Sequence, residues 1–192
     1  MAAKTDIKRV ALIGGSCSGK TTLVGEFSRR GFATIGEAAL MVIEELTKEM
    51  GADGLANFRQ TSLATLQLMI GEKQIEMEAR SISINGELVF CDGGLLDPIG
   101  YCTYFGITPQ IKLLEVATRH RYHRVFSLES LSTFVPRLKA GRMSDRRSSF
   151  EIGILLRQVY RQHGYDPIEV PVMPVDERAS YILEQLSVLQ KH

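Results

Sequence analysis

The chain alternates short apolar runs with longer stretches of helical periodicity. Val10-Ala11-Leu12-Ile13, within Lys8–Ile13, reads as a buried strand. A helical stretch then runs from about Lys20 to Arg30 and is stopped by Gly31. A short strand over Phe32–Ile35 leads through Gly36-Glu37 into a helix over about Ala38–Met50, with Glu44, Glu45 and Lys48 on its polar side. Gly51–Ala56 reads as a loop. A long helix from about Phe58 to Ile82 then sets Leu63, Leu66 and Ile70 on one face as plain core. Asn85-Gly86 marks a turn before the strand Leu88-Val89-Phe90-Cys91. Asp97-Pro98 predicts a helix start, with the carboxylate at the N-cap and proline at the first helical position. A helix over Pro109–Thr118 and a strand over Arg124–Leu128 follow. Ser148-x-x-Glu151 is a capping box opening a helix that ends at Gly164. Ile168–Val172 is a last strand and Asp176–Leu189 a closing amphipathic helix. Strand and helix signals alternating in this way predict an α/β sandwich with a mainly parallel sheet.

Composition narrows the class. The 192 residues suit one domain with one substantial core, and 44% hydrophobic with 23% charged residues is ordinary for a globular chain. A net charge of +1 predicts no bulk attraction to nucleic acid or membranes. The apolar runs, such as Ile152–Leu156, are far too short to span a bilayer. Met1-Ala2-Ala3-Lys4 leads straight into the first strand and leaves no room for a signal peptide, so a cytoplasmic setting is expected. Cys17, Cys91 and Cys102 form neither a disulfide framework nor a zinc pattern, which fits reduced thiols there.

The chemistry concentrates after the first strand. Gly14-Gly15-Ser16-Cys17-Ser18-Gly19-Lys20-Thr21, followed by Thr22, satisfies G-x-x-x-x-G-K-[ST]. Glycines let successive backbone N–H groups converge on a phosphate, and the following helix adds the positive end of its dipole. Lys20 would reach the β- and γ-phosphates, and the Thr21 hydroxyl would ligate Mg²⁺. Asp92, immediately after Leu88–Cys91, is placed to hold the same ion. Cys17 reads either as a small residue filling space or as a reactive thiol beside Lys20. No Asn-Lys-x-Asp segment occurs, which disfavours guanine-reading switches of the Ras type.

Several ordered pieces accompany the loop: Gly36-Glu37-Ala38-Ala39, Val89 through Asp92-Gly93-Gly94 to Asp97 and Tyr101, Gly141-Arg142, and Tyr160 through Gly164-Tyr165 to Glu177-Arg178. With them the chain resembles the P-loop nucleoside and nucleotide kinase-like group. Within it the chain is similar to the AAA-type ATPase/nicotinamide-riboside-kinase-like branch. The resemblance implies a three-layer sandwich, a five-stranded sheet and a lid over the nucleotide. It implies a Glu37 that contacts the acceptor hydroxyl as base or orients a metal-bound water, and a lid arginine at Arg142. From sequence alone Glu37 also has a structural alternative, a favourable charge at a helix N-terminus. Asp97 reads as helix N-cap or substrate ligand, and Tyr101 and Tyr104, three apart, as core or as a stacking face.

Arg137, Lys139, Arg142, Arg146 and Arg147 crowd the basic stretch 136–149, opposed only by Asp145, and suit a lid that neutralises phosphate charge. Arg119-His120-Arg121-Tyr122-His123-Arg124 reads as an exposed basic loop with a weak potential for anionic partners. Two departures from the family's pattern stand out. Gly93 occupies a position where many relatives carry arginine, and no aspartate precedes Arg142. The expected function is a Mg²⁺-dependent protein binding ATP or GTP and transferring the γ-phosphate to a nucleoside-like small molecule. The alternative is a nucleotide-binding regulator or slow NTPase acting through a protein partner.

Overall fold

A computed structural model describes residues 7–81, 88–119, 121–131 and 145–188. The strands β1 (Lys8–Ile13), β2 (Ala33–Ile35), β3 (Leu88–Asp92), β4 (Arg124–Leu128) and β5 (Ile168–Val170) form one sheet in the order β2-β3-β1-β4-β5. All four neighbouring pairs are parallel. The helices are α1 (Lys20–Arg29), α2 (Ala38–Thr61), α3 (Leu63–Arg80), α4 (Asp97–Tyr104), α5 (Ile111–Arg119), α6 (Arg146–Gln162) and α7 (Val175–Val188).

The alternation of side chains along β1 divides the core between the two faces of the sheet. Val10 and Leu12 point to one side, where α1 and α7 supply Leu23, Phe27, Ala179, Ile182 and Leu186. Phe27 stacks on Phe90 of β3 with ring centroids 3.6 Å apart. Ala11 and Ile13 point to the other side and meet Leu95, Ile99, Leu113, Ile152, Leu156 and Tyr160 from α4, α5, α6 and the turn after β3. Central strands buried on both faces read as continuous apolar runs, which is why β1 and β3 stand out in the sequence. A third cluster, Val42, Leu46, Leu55 and Leu66, ties α2 to α3.

Several boundaries differ from the sequence expectation. Gly51–Ala56 is not a loop. Gly51 interrupts helical geometry (φ 73°, ψ 176°) and kinks α2, but the chain returns to helix because Leu55 packs into the cluster with Val42 and Leu46. The long helix expected over 58–82 is instead broken at Ser62, whose φ of −138° separates α2 from α3. Ser148 does not cap α6. The cap is Asp145, whose carboxylate accepts from the Ser148 backbone N–H at 2.7 Å, while Glu151 pairs with Arg147. Asp97 is the first residue of α4 and not its N-cap, which is Leu96. In the basic run before β4, Arg121 is exposed as expected, but the run is not uniformly solvated. Tyr122 turns into the core, and Arg121 lies 4.6 Å over the Tyr165 ring and donates to the His163 carbonyl. Arg137, Lys139, Arg142 and most of the expected lid, the Asn85-Gly86 turn, His120 and Leu189 lie outside the described residues.

Candidate active site

In a parallel sheet the carboxyl ends of the strands share one edge, and the turns leaving them face a common space. Register fixes which residues meet there. Leu12 of β1 pairs with Asp92 of β3, and Ile35 of β2 pairs with Cys91. The Gly14–Gly19 loop, the Gly36-Glu37 turn and the Asp92–Asp97 turn therefore leave the sheet side by side.

The loop after β1 wraps the N-terminus of α1, with Gly19 in the left-handed region at φ 92° as its N-cap. Cys17 also sits there, at φ 60°, a conformation few non-glycine residues adopt. Lys20 Nζ donates to the Gly14 and Gly15 carbonyls at 2.8 and 2.9 Å, which holds the ammonium against the loop. The hydroxyl-bearing Thr21 and Thr22 are exposed on the first turn of α1.

Two residues to which the sequence assigns no such role, Arg178 and Ser149, hold this loop from outside. Arg178 of α7 is 3% exposed and donates to three backbone carbonyls: Ser18 at 2.8 Å, Pro171 at 2.9 Å and Glu129 at 3.3 Å. One guanidinium thus joins the phosphate loop to the ends of β4 and β5, and its burial lowers its pKa. Its signal in the sequence is its place four residues before Ile182, on the buried stripe of an otherwise apolar helix face. Ser149 of α6 donates its hydroxyl to the Ser16 carbonyl, and the Ser149 carbonyl would lie 1.9 Å from any Cβ at Gly15. Only glycine fits that approach.

Asp92 closes β3 and is 2% exposed. Gly93 follows at φ 94°, donating its N–H to the Leu12 carbonyl, and a Cβ there would come 2.9 Å from Asp97 Oδ2. Any larger residue there would be strained by that backbone, and its Cβ would crowd the Asp97 carboxylate. Asp97 Oδ1 accepts from Tyr160 Oη at 2.8 Å. Burial raises the Asp97 carboxyl to about 7, against the opposing pull of the Tyr160 hydrogen bond, Lys20 and the Gly94 amide. Tyr160 in turn is raised well above its ordinary range by burial and the neighbouring Asp97. Behind this pair, Tyr122 Oη accepts from the Leu95 N–H at 2.9 Å and donates to Glu78 Oε1 at 2.6 Å.

Glu37 is half-buried at the N-cap of α2, and its carboxylate makes no capping hydrogen bond there. Tyr101 packs partly buried against the core, and so does Tyr104, whose hydroxyl lies 3.4 Å from Glu151 Oε2. Both tyrosines are thus engaged in packing. Among the described residues no group of three or more His, Cys, Asp or Glu side chains could hold a metal ion. The oxygen donors at the loop, a Thr21 hydroxyl and a strand-end carboxylate at Asp92, match the hard, sparse protein ligation that magnesium takes when phosphates and water complete its shell. The donor set therefore fits that ion. No helix among the described residues is long and apolar enough to cross a membrane.

A family model described as an AAA domain matches residues 9–178. A sequence search of curated proteins finds no match. In three dimensions the chain is similar to NadR solved with NAD and AMP-PNP, at a TM-score of 0.62 and 16% identity, covering 93% of this chain and 49% of that one. It thus spans about half the length of NadR. Thymidylate kinase from Ehrlichia chaffeensis has a TM-score of 0.62 at 13% identity, over 94% of this chain and 99% of its own. Deoxyadenosine kinase from M. mycoides with bound dATP has a TM-score of 0.58 at 13% identity, over 93% and 99%. The phosphate loop on β1, the parallel order of the sheet and these matches lead to one assignment: the chain belongs to the AAA-domain family of P-loop proteins with the nucleoside and nucleotide kinase fold.

Proposed function

We propose that this protein is a Mg²⁺-dependent kinase that transfers the γ-phosphate of ATP, or of GTP, to a small nucleoside-like acceptor. The observation that carries the reading is the shared sheet edge, where the loop of Gly14–Gly19 and Lys20 faces the carboxylates that follow β2 and β3. A donor nucleotide on the loop would leave its terminal phosphate pointing toward Glu37, Asp92 and Asp97.

In this reading the amides of Gly14, Gly15, Ser16, Cys17, Ser18 and Gly19 receive the phosphates, with Thr22 flanking them on α1. Lys20 bridges the β- and γ-phosphates, where a positioned cation stabilises charge developing in the transition state. Thr21 and Asp92 would hold magnesium, which when bound neutralises phosphate charge and orients the donor. Glu37 orients the acceptor from the β2 side, Arg142 closes from the lid, and Asp97 and Tyr101 border the acceptor space. NadR was solved with NAD and AMP-PNP, and the two kinases are named for thymidylate and deoxyadenosine, which supports the choice of substrate class.

Purified protein with ATP or GTP and Mg²⁺, screened against nucleosides and vitamin precursors, should release ADP or GDP in an acceptor-dependent way. Lys20→Ala should lower turnover on the order of a hundred- to a thousandfold. Release that no acceptor accelerates would instead indicate an NTPase. Nucleotide binding without turnover would indicate a regulator that works through a protein partner.

A further inference from the structure

We infer that Asp97, oriented by Tyr160, is the group that takes the proton from the acceptor, and that the site therefore phosphorylates a hydroxyl and rejects a phosphate monoester. The inference rests on the kinase reading above and narrows it to one acceptor chemistry.

Asp97 has the geometry of a side chain kept for use. It stands at the first position of α4, where a carboxylate commonly caps its own helix, yet the N-cap is Leu96 and no side chain caps the helix end. Its Oδ1 is instead held from across the domain by Tyr160, 63 residues away on α6. Tyr160 is fully buried, and its hydroxyl sits where a Cβ at Gly94 would come within 2.4 Å, so the backbone has been kept bare to let the two side chains meet. Gly93 is bare for the same neighbour: a Cβ there would lie 2.9 Å from Asp97 Oδ2. Two consecutive glycines thus clear one carboxylate and its partner, in a turn that leaves the carboxyl edge of the sheet, where Lys20 and Asp92 bear on the same carboxyl.

The groups bearing on Asp97 come from every element around it: Tyr160 from α6, Lys20 from α1, Asp92 from β3 and the Gly94 amide from its own turn. Glu78 of α3 lies behind, acting on Tyr160. Burial outweighs the stabilising contacts and leaves the carboxyl near 7. A base poised there is ionised in a useful fraction near neutrality and still basic enough to accept a proton.

The step balances without a further reactant. The acceptor O–H gives its proton to Asp97 Oδ2 as its oxygen bonds to the γ-phosphorus. The bond from that phosphorus to the β,γ-bridging oxygen breaks, its electron pair leaves with ADP, and neutral Asp97 later returns the proton to solvent. A phosphate monoester has no such need, because it attacks as an anion already. It would also have to sit beside Asp92 and Asp97, where like charges repel. Among the described residues Lys20 is the cation that bears on Asp97, and its ammonium is held at the phosphate loop.

The test uses matched acceptors: nicotinamide riboside, deoxyadenosine and thymidine, each beside its own 5′-monophosphate, with ADP release followed from pH 5 to 9. At least one nucleoside should exceed its monophosphate by about a hundredfold in kcat/KM, with an acid limb near 7. Asp97→Asn should lose about a hundredfold in kcat and lose that limb, while binding ATP within about threefold of the parent and keeping its circular dichroism. Tyr160→Phe removes a hydrogen bond that favours the carboxylate, so its limb should move to higher pH. Carbon-13 NMR of the aspartate carboxyls should show the same displacement without any acceptor. Monophosphates accepted as well as nucleosides, or an acid limb retained in Asp97→Asn, would overturn this inference and leave the kinase reading standing. ADP release that no acceptor accelerates would overturn both. A limb and an NMR titration unmoved in Tyr160→Phe would remove the positioning role of that tyrosine.

Discussion

The two halves of the candidate site are built from different materials. The proposed donor half is one contiguous segment, Gly14 to Thr22, which would act through backbone amides, one lysine and a helix terminus. The acceptor half is assembled from single side chains on separate elements: Glu37 after β2, Asp92 on β3, Asp97 on α4 and Tyr160 on α6. A contiguous backbone device must keep its residues in fixed order, because the curl of the loop depends on where each glycine stands. A side-chain device needs each member only to arrive at the right place, and any spacing that packing permits will serve. In the proposed kinase reading the donor half would therefore be generic, and the acceptor half would carry specificity.

That contrast can be broken at several points. Arg178→Met removes the donor that joins three carbonyls around the phosphate loop while keeping most of the buried stem. It should cost about 2 to 4 kcal/mol of stability, since the carbonyls are left without their charged partner. A urea titration would read the loss, with ATP affinity falling in parallel. An ATP affinity unchanged at full occupancy of the folded state would mean that the loop holds itself.

The acceptor half predicts an effect of opposite sign. The Asp97 carboxyl titrates at about 7 in the folded protein against an ordinary 3.8. The native state thus retains a proton that the unfolded chain releases, so stability contributed by this group is greatest below about 4 and is lost as pH rises through about 7. Asp97→Asn, which never carries the charge, should be more stable than the parent by up to about 4 kcal/mol at pH 8 and within about 1 kcal/mol of it near pH 4. Melting curves at the two pH values decide this. A donor-half substitution such as Lys20→Ala should show no comparable gain.

The smallest effect concerns Cys17. Its φ of 60° is a left-handed conformation in which glycine is unstrained. Cys17→Gly should stabilise the fold by about 0.5 to 1 kcal/mol, measurable by thermal melting. Equal stability would show that the contact between Cys17 Sγ and Ser16 Oγ, at 3.8 Å, offsets the strain.

The expected architecture was legible to the extent that periodicity carries it. β1 and β3 carry apolar runs because both their faces are covered, and α7 shows its stripe at Ala179, Ile182 and Leu186. The α2–α3 region was misread because Gly51 is a strong local break signal. The competing signal, Leu55 docking on Val42 and Leu46, is a contact between turns of chain that no single window contains. Ser148 was misread for a similar reason, since Asp145 three residues earlier offers a carboxylate to the same backbone group.

From the chain alone come the phosphate loop, the parallel α/β class and the acidic residues after β2 and β3, because each is set by neighbours within a few positions. Tertiary structure decided the rest. It turned Asp97 from a helix cap into a carboxyl held by Tyr160, and drew Arg178 from the far end of the chain onto Ser18. It also explained Gly93 as clearance for Asp97. These depend on burial and on partners tens of residues distant, and a carboxylate acquires its proton affinity from surroundings that exist only once the chain has packed.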